Sequence, residues 1–284
     1  WRYVAMMNDM ERLHNLKYFA LDMDGTIYLG QKLLPGALDF LQYLKDSGRK
    51  HLFLTNNSSK HKHSYVEKLQ KLGINATDKE VMTSGEATAL YLQAKNMNRV
   101  YLLGTPDLED EFRQHGLTLT CDKPACVVLG FDQTLTYAKL TEACHLLREG
   151  VPFIATHPDI NCPTNERSGY LPDTGAMLKL IEASTGVTPQ LIIGKPHQEI
   201  INVLMSTLHC TKEETAMVGD RLYTDIQLAT NSGICGVLVL SGESTRSDVA
   251  TSGAKPTFIF ENVGELANAL RTADAALGKT PVLV

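Results

Sequence analysis

The stretch Leu21-Asp22-Met23-Asp24-Gly25-Thr26 puts two carboxylates one residue apart at the end of the apolar run Tyr18–Leu21. An Asp-Gly step between apolar runs is a strong signal for a tight turn. A plain turn, however, gains nothing from two acids that repel each other unless a cation or a substrate lies between them. Three more polar clusters follow apolar runs. Thr55-Asn56-Asn57-Ser58 comes after residues 51–54, Lys195-Pro196 after 191–194, and Asp220 after 216–219, with Asp225 five residues further on. Asp22, Asp24, Asp220 and Asp225 together are costly to leave ionised without a hard, oxygen-preferring cation such as Mg²⁺. Lys195 supplies a fixed positive charge and Thr55 a hydroxyl. The backbone N–H groups after Thr55 can cradle phosphate oxygens. These groups suit phosphoryl transfer, in which an attacking carboxylate splits one hard displacement into two easier ones.

For these groups to meet, the elements around them must alternate strand and helix. Tyr18–Leu21 is a short continuous apolar run, as expected of a strand buried on both faces. Residues 36–47 carry Ala37, Phe40, Leu41 and Leu44 at helical spacing, with Gly48 as terminator. Residues 51–54 read as a strand and 59–72 as a helix, and Thr83 to Glu86 reads as a capping box opening another helix. Strands are expected at 100–103, 126–129, 153–155, 191–193, 216–218 and 236–240, and helices at 136–149, 174–184, 199–208 and 225–232. Such βα alternation implies parallel sheets with crossover helices. In these sheets ligands bind beyond the carboxyl ends of the strands, so all four polar clusters are expected on one edge of one sheet.

The chain has 284 residues, 43% hydrophobic and 21% charged, which suits a globular protein of about two domains. A net charge of −5 without a basic run argues against a nucleic-acid partner. No apolar stretch approaches the ~20 residues that cross a bilayer, and the first residues carry scattered charge rather than the apolar core of a signal peptide. Six cysteines without zinc-like spacing read as reduced thiols and place the protein in the cytoplasm.

The ordered motifs DMDGT, LFLTNNS, IIGKP and GDRLYTD resemble the haloacid dehalogenase-like (HAD) superfamily. The LTNNS form, TSGEATA, ATHPD at 155–159 and IIGKP narrow the resemblance to its NagD-like, or 4-nitrophenylphosphatase-like, branch. The resemblance implies a Rossmann-like core, at 1–81 and 189–284, with a large C2-type α/β cap inserted at 82–188. It also implies roles. Asp22 would be the nucleophile and a Mg²⁺ ligand. Asp24 would be the general acid and base, its carbonyl on the metal. Asp220 would be a further ligand, and Asp225 would orient a metal-bound water or Lys195. Thr55, the Asn56 backbone, Asn57 and Lys195 would bind the transferring phosphoryl group. The family more often has Asn where His157 stands; His157 and Asp159, in the polar loop THPDINCP, are candidates for reading the leaving group, with Phe131 and Asp132 next.

The expected activity is Mg²⁺-dependent hydrolysis of a small phosphorylated metabolite such as a sugar phosphate or nucleotide. Phosphotransfer on the same site and non-catalytic binding of a phosphometabolite are the alternatives. A dehalogenase has no use for an acid at Asp24. Cap-mediated dimers occur in the family, which leaves a homodimer open.

Overall fold

The computed structural model describes residues 2–163 and 169–278. Residues 1, 164–168 and 279–284, which the expected core and cap ranges include, lie outside the described residues. The chain forms two compact units: Trp1–Leu54, Val66–Val81 and Met205–Val284 make the first, and Thr55–Tyr65 and Met82–Leu204 the second. The divisions fall after Leu54, Tyr65, Val81 and Leu204.

The first unit is built on a six-stranded sheet in the order Phe258–Phe260, Cys235–Val239, Thr215–Gly219, Tyr18–Leu21, Lys50–Thr55, Val81–Thr83. Tyr18–Leu21 lies at its centre, parallel to both neighbours, with Leu21 beside Val218 and Phe53. The strands Thr215–Gly219 and Cys235–Val239 are buried along their whole length, which explains why they read as unbroken apolar runs. Phe40, on the buried face of the helix Ala37–Asp46, meets Phe19 edge to face at 6.0 Å. Arg49 and Asp274, both buried, form a fork-to-fork ion pair at 2.6 and 2.8 Å, and Tyr43 and His14 also bond the carboxylate. Its carboxylate is thus amply partnered, which is the condition for tolerating a buried charge.

The second unit has a five-stranded parallel sheet in the order Leu191–Ile192, Phe153–Ala155, Cys126–Leu129, Arg99–Leu103, Thr118–Leu119. Leu103, Val127, Leu129, Phe153 and Ile181 form the centre of its core. Helices start where side chains satisfy their first N–H groups: Thr83 accepts from Glu86 N–H at 3.0 Å, and Asp173 from Thr174 N–H at 2.6 Å. The reciprocal half of the expected capping box is absent, because the Glu86 side chain bonds Lys62 instead.

One expectation is corrected here. Leu191–Ile192, the strand before Lys195, pairs with Phe153–Ala155 in the five-stranded sheet, so the four polar clusters do not share one sheet edge. Three follow strands of the six-stranded sheet; Lys195 follows an edge strand of the other. A two-residue strand carries no local mark of its partner, since pairing is decided by distant backbone groups. The helix expected from residue 59 begins at Lys62. Asn57 Oδ1 accepts the N–H and Oγ–H of Ser59, and this Asx turn competes with the first helical turn.

Candidate active site

In the first unit, Asp22 stands one residue past its strand, and its N–H donates to the Val218 carbonyl at 2.9 Å. The next turn closes through Ile27 N–H to Met23 C=O and Gly25 N–H to Tyr28 C=O, both at 2.8 Å. Gly25 has φ of 83°, a conformation favouring glycine, and an added Cβ there would meet Asp220 Oδ2 at 2.4 Å. The Asp-Gly step is therefore both a turn and a close approach to a carboxylate. The hairpin Tyr28–Leu29 with Lys32–Leu33 follows. Asp24 is exposed at the base of this flap.

Asp22, Asp220 and Asp225 each offer an oxygen within 4.8 Å of the other two. Asp220 and Asp225 are buried and Asp22 is half-buried. Asp220 Oδ2 accepts the Glu243 N–H at 2.7 Å. Asp225 is brought in by a wide turn, Leu222–Ile226, in which Ile226 N–H reaches the Arg221 carbonyl. Its Oδ2 accepts the Arg221 N–H at 3.2 Å and packs where a Cβ on Gly219 would sit, 2.4 Å away. Such i→i+5 turns are often found at functional sites. Burial opposes the charge of Arg221, but Tyr223, Asp220, Glu243 and Asp22 outweigh it and raise its pKa.

The donor set fits a magnesium ion. Hard carboxylate oxygens in an octahedral shell at about 2.1 Å from the metal lie about 3–4 Å apart, within the spread of these three. Glycines at 25, 219 and 242 leave the room the two buried acids occupy.

In the second unit, Thr55 ends the strand Lys50–Thr55 and its Oγ1 accepts the Asn57 N–H at 3.2 Å. Burial raises the pKa of Tyr65, which hydrogen-bonds Thr55; sequence reasoning passed Tyr65 over, since a tyrosine inside a polar helix carries no motif. The Asn56 side chain bonds the Lys195 backbone and Asp159, while Asn57 is used by its Asx turn. Lys195 is buried.

His157 is fully buried, and both ring nitrogens are engaged. A chain runs from Phe131 N–H to Ser58 Oγ, then Thr156 Oγ1, then His157 Nδ1, each step about 3 Å. A carboxylate oxygen only accepts, so His157 Nε2–H donates to Asp173 Oδ1 at 2.9 Å. Asp173 caps the helix Thr174–Thr185. His157 thus ties a strand end to a helix start, whereas Asp159, two residues on, is only half-buried. The partner of His157, Asp173, was not singled out from sequence; an acid before a helix reads as an ordinary cap. Asp132 is buried against Lys139 at 3.0 Å and Phe131 lies in the core.

A haloacid dehalogenase-like hydrolase family model matches residues 19–118, and a HAD-hydrolase-like model matches 192–266. The chain is 39% identical over 251 residues to the acid sugar phosphatase of Staphylococcus aureus strain MRSA252, covering 88% of this chain and 96% of the relative. The 4-nitrophenylphosphatase of Thermotoga maritima superposes with a TM-score of 0.86 at 49% identity, over 91% of this chain and 99% of that one. The glycerol phosphate phosphatase of Mycobacterium tuberculosis in complex with magnesium superposes with a TM-score of 0.80 at 29% identity, over 90% and 77%. The motifs, the parallel sheets and these likenesses agree, and the chain belongs to the haloacid dehalogenase-like hydrolases, in their NagD-like, 4-nitrophenylphosphatase-like branch.

Proposed function

We propose that this hydrolase is a Mg²⁺-dependent phosphatase of small phosphate monoesters, such as sugar phosphates or nucleotides, acting through an aspartyl-phosphate on Asp22. The observation that carries this reading is the glycine-cradled cluster of Asp22, Asp220 and Asp225, in a chain similar over most of its length to phosphatases. Asp22, Asp220 and the Asp24 carbonyl would hold the metal, with Asp225 beside it. When bound, Mg²⁺ supplies positive charge that neutralises the phosphoryl oxygens.

Asp22 attacks phosphorus in line, forming an Oδ–P bond as the P–O bond to the leaving alcohol breaks. Asp24, exposed to the medium, gives its proton to that alcohol. It then takes a proton from the water that attacks the aspartyl-phosphate, freeing inorganic phosphate and the Asp22 carboxylate. Thr55 and the N–H groups after it hold the equatorial oxygens, and the Lys195 ammonium balances their charge. Residues 1–81 and 189–284 act as the catalytic core, and 82–188 as a cap that excludes water from the first step. The six cysteines are free thiols, which suits the cytoplasm. None of the described helices is long and apolar enough to cross a membrane.

The test is phosphate release from a metabolite panel that includes 4-nitrophenyl phosphate. EDTA should abolish activity and Mg²⁺ restore it, whereas Ca²⁺, which favours more ligands and a looser shell, should not. Asp22→Asn, nearly isosteric but a poor nucleophile, should be folded and inactive. Near-normal turnover by that variant in a clean preparation removes the reading, and phosphoryl transfer to an added alcohol in place of water would make the enzyme a phosphotransferase.

A further inference from the structure

We infer that the Asn56 carboxamide is a positioning group: it locks Lys195 and Asp159 to the segment after Thr55 and does not itself bind the phosphoryl group. The inference rests on the reading of Lys195 as a phosphoryl-binding residue. Asn56 Oδ1 accepts the Lys195 N–H at 2.8 Å, and Asn56 Nδ2 donates to the Lys195 carbonyl at 2.9 Å. One amide thus pairs with both backbone groups of one residue, which sets the direction of the Lys195 backbone as well as its place. The Asp159 carboxylate accepts from the same Nδ2 at 3.2 and 3.3 Å. An amide nitrogen has two hydrogens, and both are used. The residue is only 7% exposed, and no amide hydrogen is left to turn toward a substrate.

The surroundings are shaped for this pairing. A Cβ on Gly194 would lie 2.6 Å from Asn56 Oδ1 and 2.7 Å from the Thr156 carbonyl, so the amide reaches Lys195 only because residue 194 has no side chain. The Asn56 carbonyl accepts from Ser84 Oγ at the start of the helix Ser84–Ala94, which holds the backbone beneath the amide. Three separate segments, at 56, 159 and 195, are therefore registered on one side chain. Catalysis is sensitive to displacements of about 1 Å, so this registry matters for where the Lys195 ammonium can act. Asn56→Asp keeps the shape and the acceptor. It removes both N–H donors and sets a negative oxygen against the Lys195 carbonyl and the Asp159 carboxylate, which repel it.

A double-mutant cycle with 4-nitrophenyl phosphate tests the inference. Asn56→Asp should lower kcat about 100-fold in the wild-type background but less than about 3-fold in Lys195→Ala, because residues that act through one another are not additive. Equal losses in both backgrounds would mean that Asn56 acts on substrate directly and would overturn the inference while leaving the phosphatase reading in place. A readout independent of activity is amide hydrogen exchange of the Lys195 N–H by NMR. Asn56→Ala should speed it by at least about tenfold, with the amides of Cys126–Leu129 unchanged, as expected of local opening; unchanged exchange at Lys195 overturns the clamp. If Asn56→Asp does not fold, Asn56→Ala takes its place in the cycle. A wild type without phosphatase activity would sink the functional reading, and the exchange measurement would still decide the clamp.

Discussion

Asp220 and Gly242 approach so closely that a Cβ at position 242 would lie 2.0 Å from Asp220 Oδ2. The carboxylate is held by the N–H of the next residue, Glu243, so the loop that orients the acid also leaves it room. Gly242→Ala must push the carboxylate out of place, at a packing cost of about 1–3 kcal/mol. With Asp220 as a metal ligand, even 1.4 kcal/mol of that cost falling on metal binding is tenfold in affinity. The Mg²⁺ concentration for half-maximal activity should therefore rise by about tenfold or more. An unchanged Mg²⁺ titration in a folded variant would remove Asp220 from the ligand set.

Asp24→Asn should be impaired most on substrates with strongly basic leaving alcohols. A general acid contributes about 10²–10⁴-fold, and 4-nitrophenolate, a weak base, needs that help least. Comparing kcat/KM for a sugar phosphate and for 4-nitrophenyl phosphate gives the contrast. Equal losses on both argue against the acid role.

His157 and Asp159, neighbours in sequence, should behave differently. His157 has both nitrogens bonded and no exposure, so His157→Ala should cost about 1–3 kcal/mol of stability by stranding buried polar groups. It should lower kcat/KM for all substrates by a common factor. Asp159→Ala should instead reorder the substrate ranking, because a polar group left unpaired by a wrong substrate is penalised. Melting curves and a kcat/KM panel for both variants separate the two; a reordered ranking in His157→Ala with unchanged melting would reverse the assignment.

Glu111 gives the second unit a pH-dependent stability. Burial, with Glu86 and Asp107 adding to it, pushes this carboxyl from about 4.5 up to about 8, against the pull of Lys62 and a bond from Thr83. His115 also faces Glu86, at 3.8 Å. The folded protein keeps a proton that the unfolded chain releases above pH 4.5. The stabilisation is therefore full below that value and is lost as pH rises through about 8. Glu111→Gln, neutral at every pH, should melt higher than the wild type at pH 9 and show a shallower fall in Tm between pH 6 and 9. Parallel Tm–pH curves for the two proteins would contradict this.

Much of the site was legible in the chain because its marks are local. Asp22 and Asp24 follow an apolar run, Gly25 reports the turn that comes directly after them, and Asp225 stands five residues from Asp220. Each feature follows from backbone geometry over a few residues. The helix Glu199–Leu208 and the strand Tyr18–Leu21 fall at the bounds read from the sequence, since burial on one helix face writes a repeat and burial on both strand faces writes a continuous apolar run.

Other features depended on contacts between distant segments. The strand Leu191–Ile192 joined the sheet of Phe153–Ala155 rather than that of Tyr18–Leu21, and two residues cannot encode a partner. His157 turned from a candidate reader of substrate into a buried link once Ser58, Thr156 and Asp173 surrounded it. Asn56, a loop residue by composition, became the clamp of Lys195 because a glycine 138 positions away left it space. The sequence alone determined which chemical groups stand at strand ends, for that is set by neighbours along the chain. The tertiary structure decided which groups are buried, which hydrogen bonds they spend and which sheet holds them, because burial and pairing are properties of the packed whole.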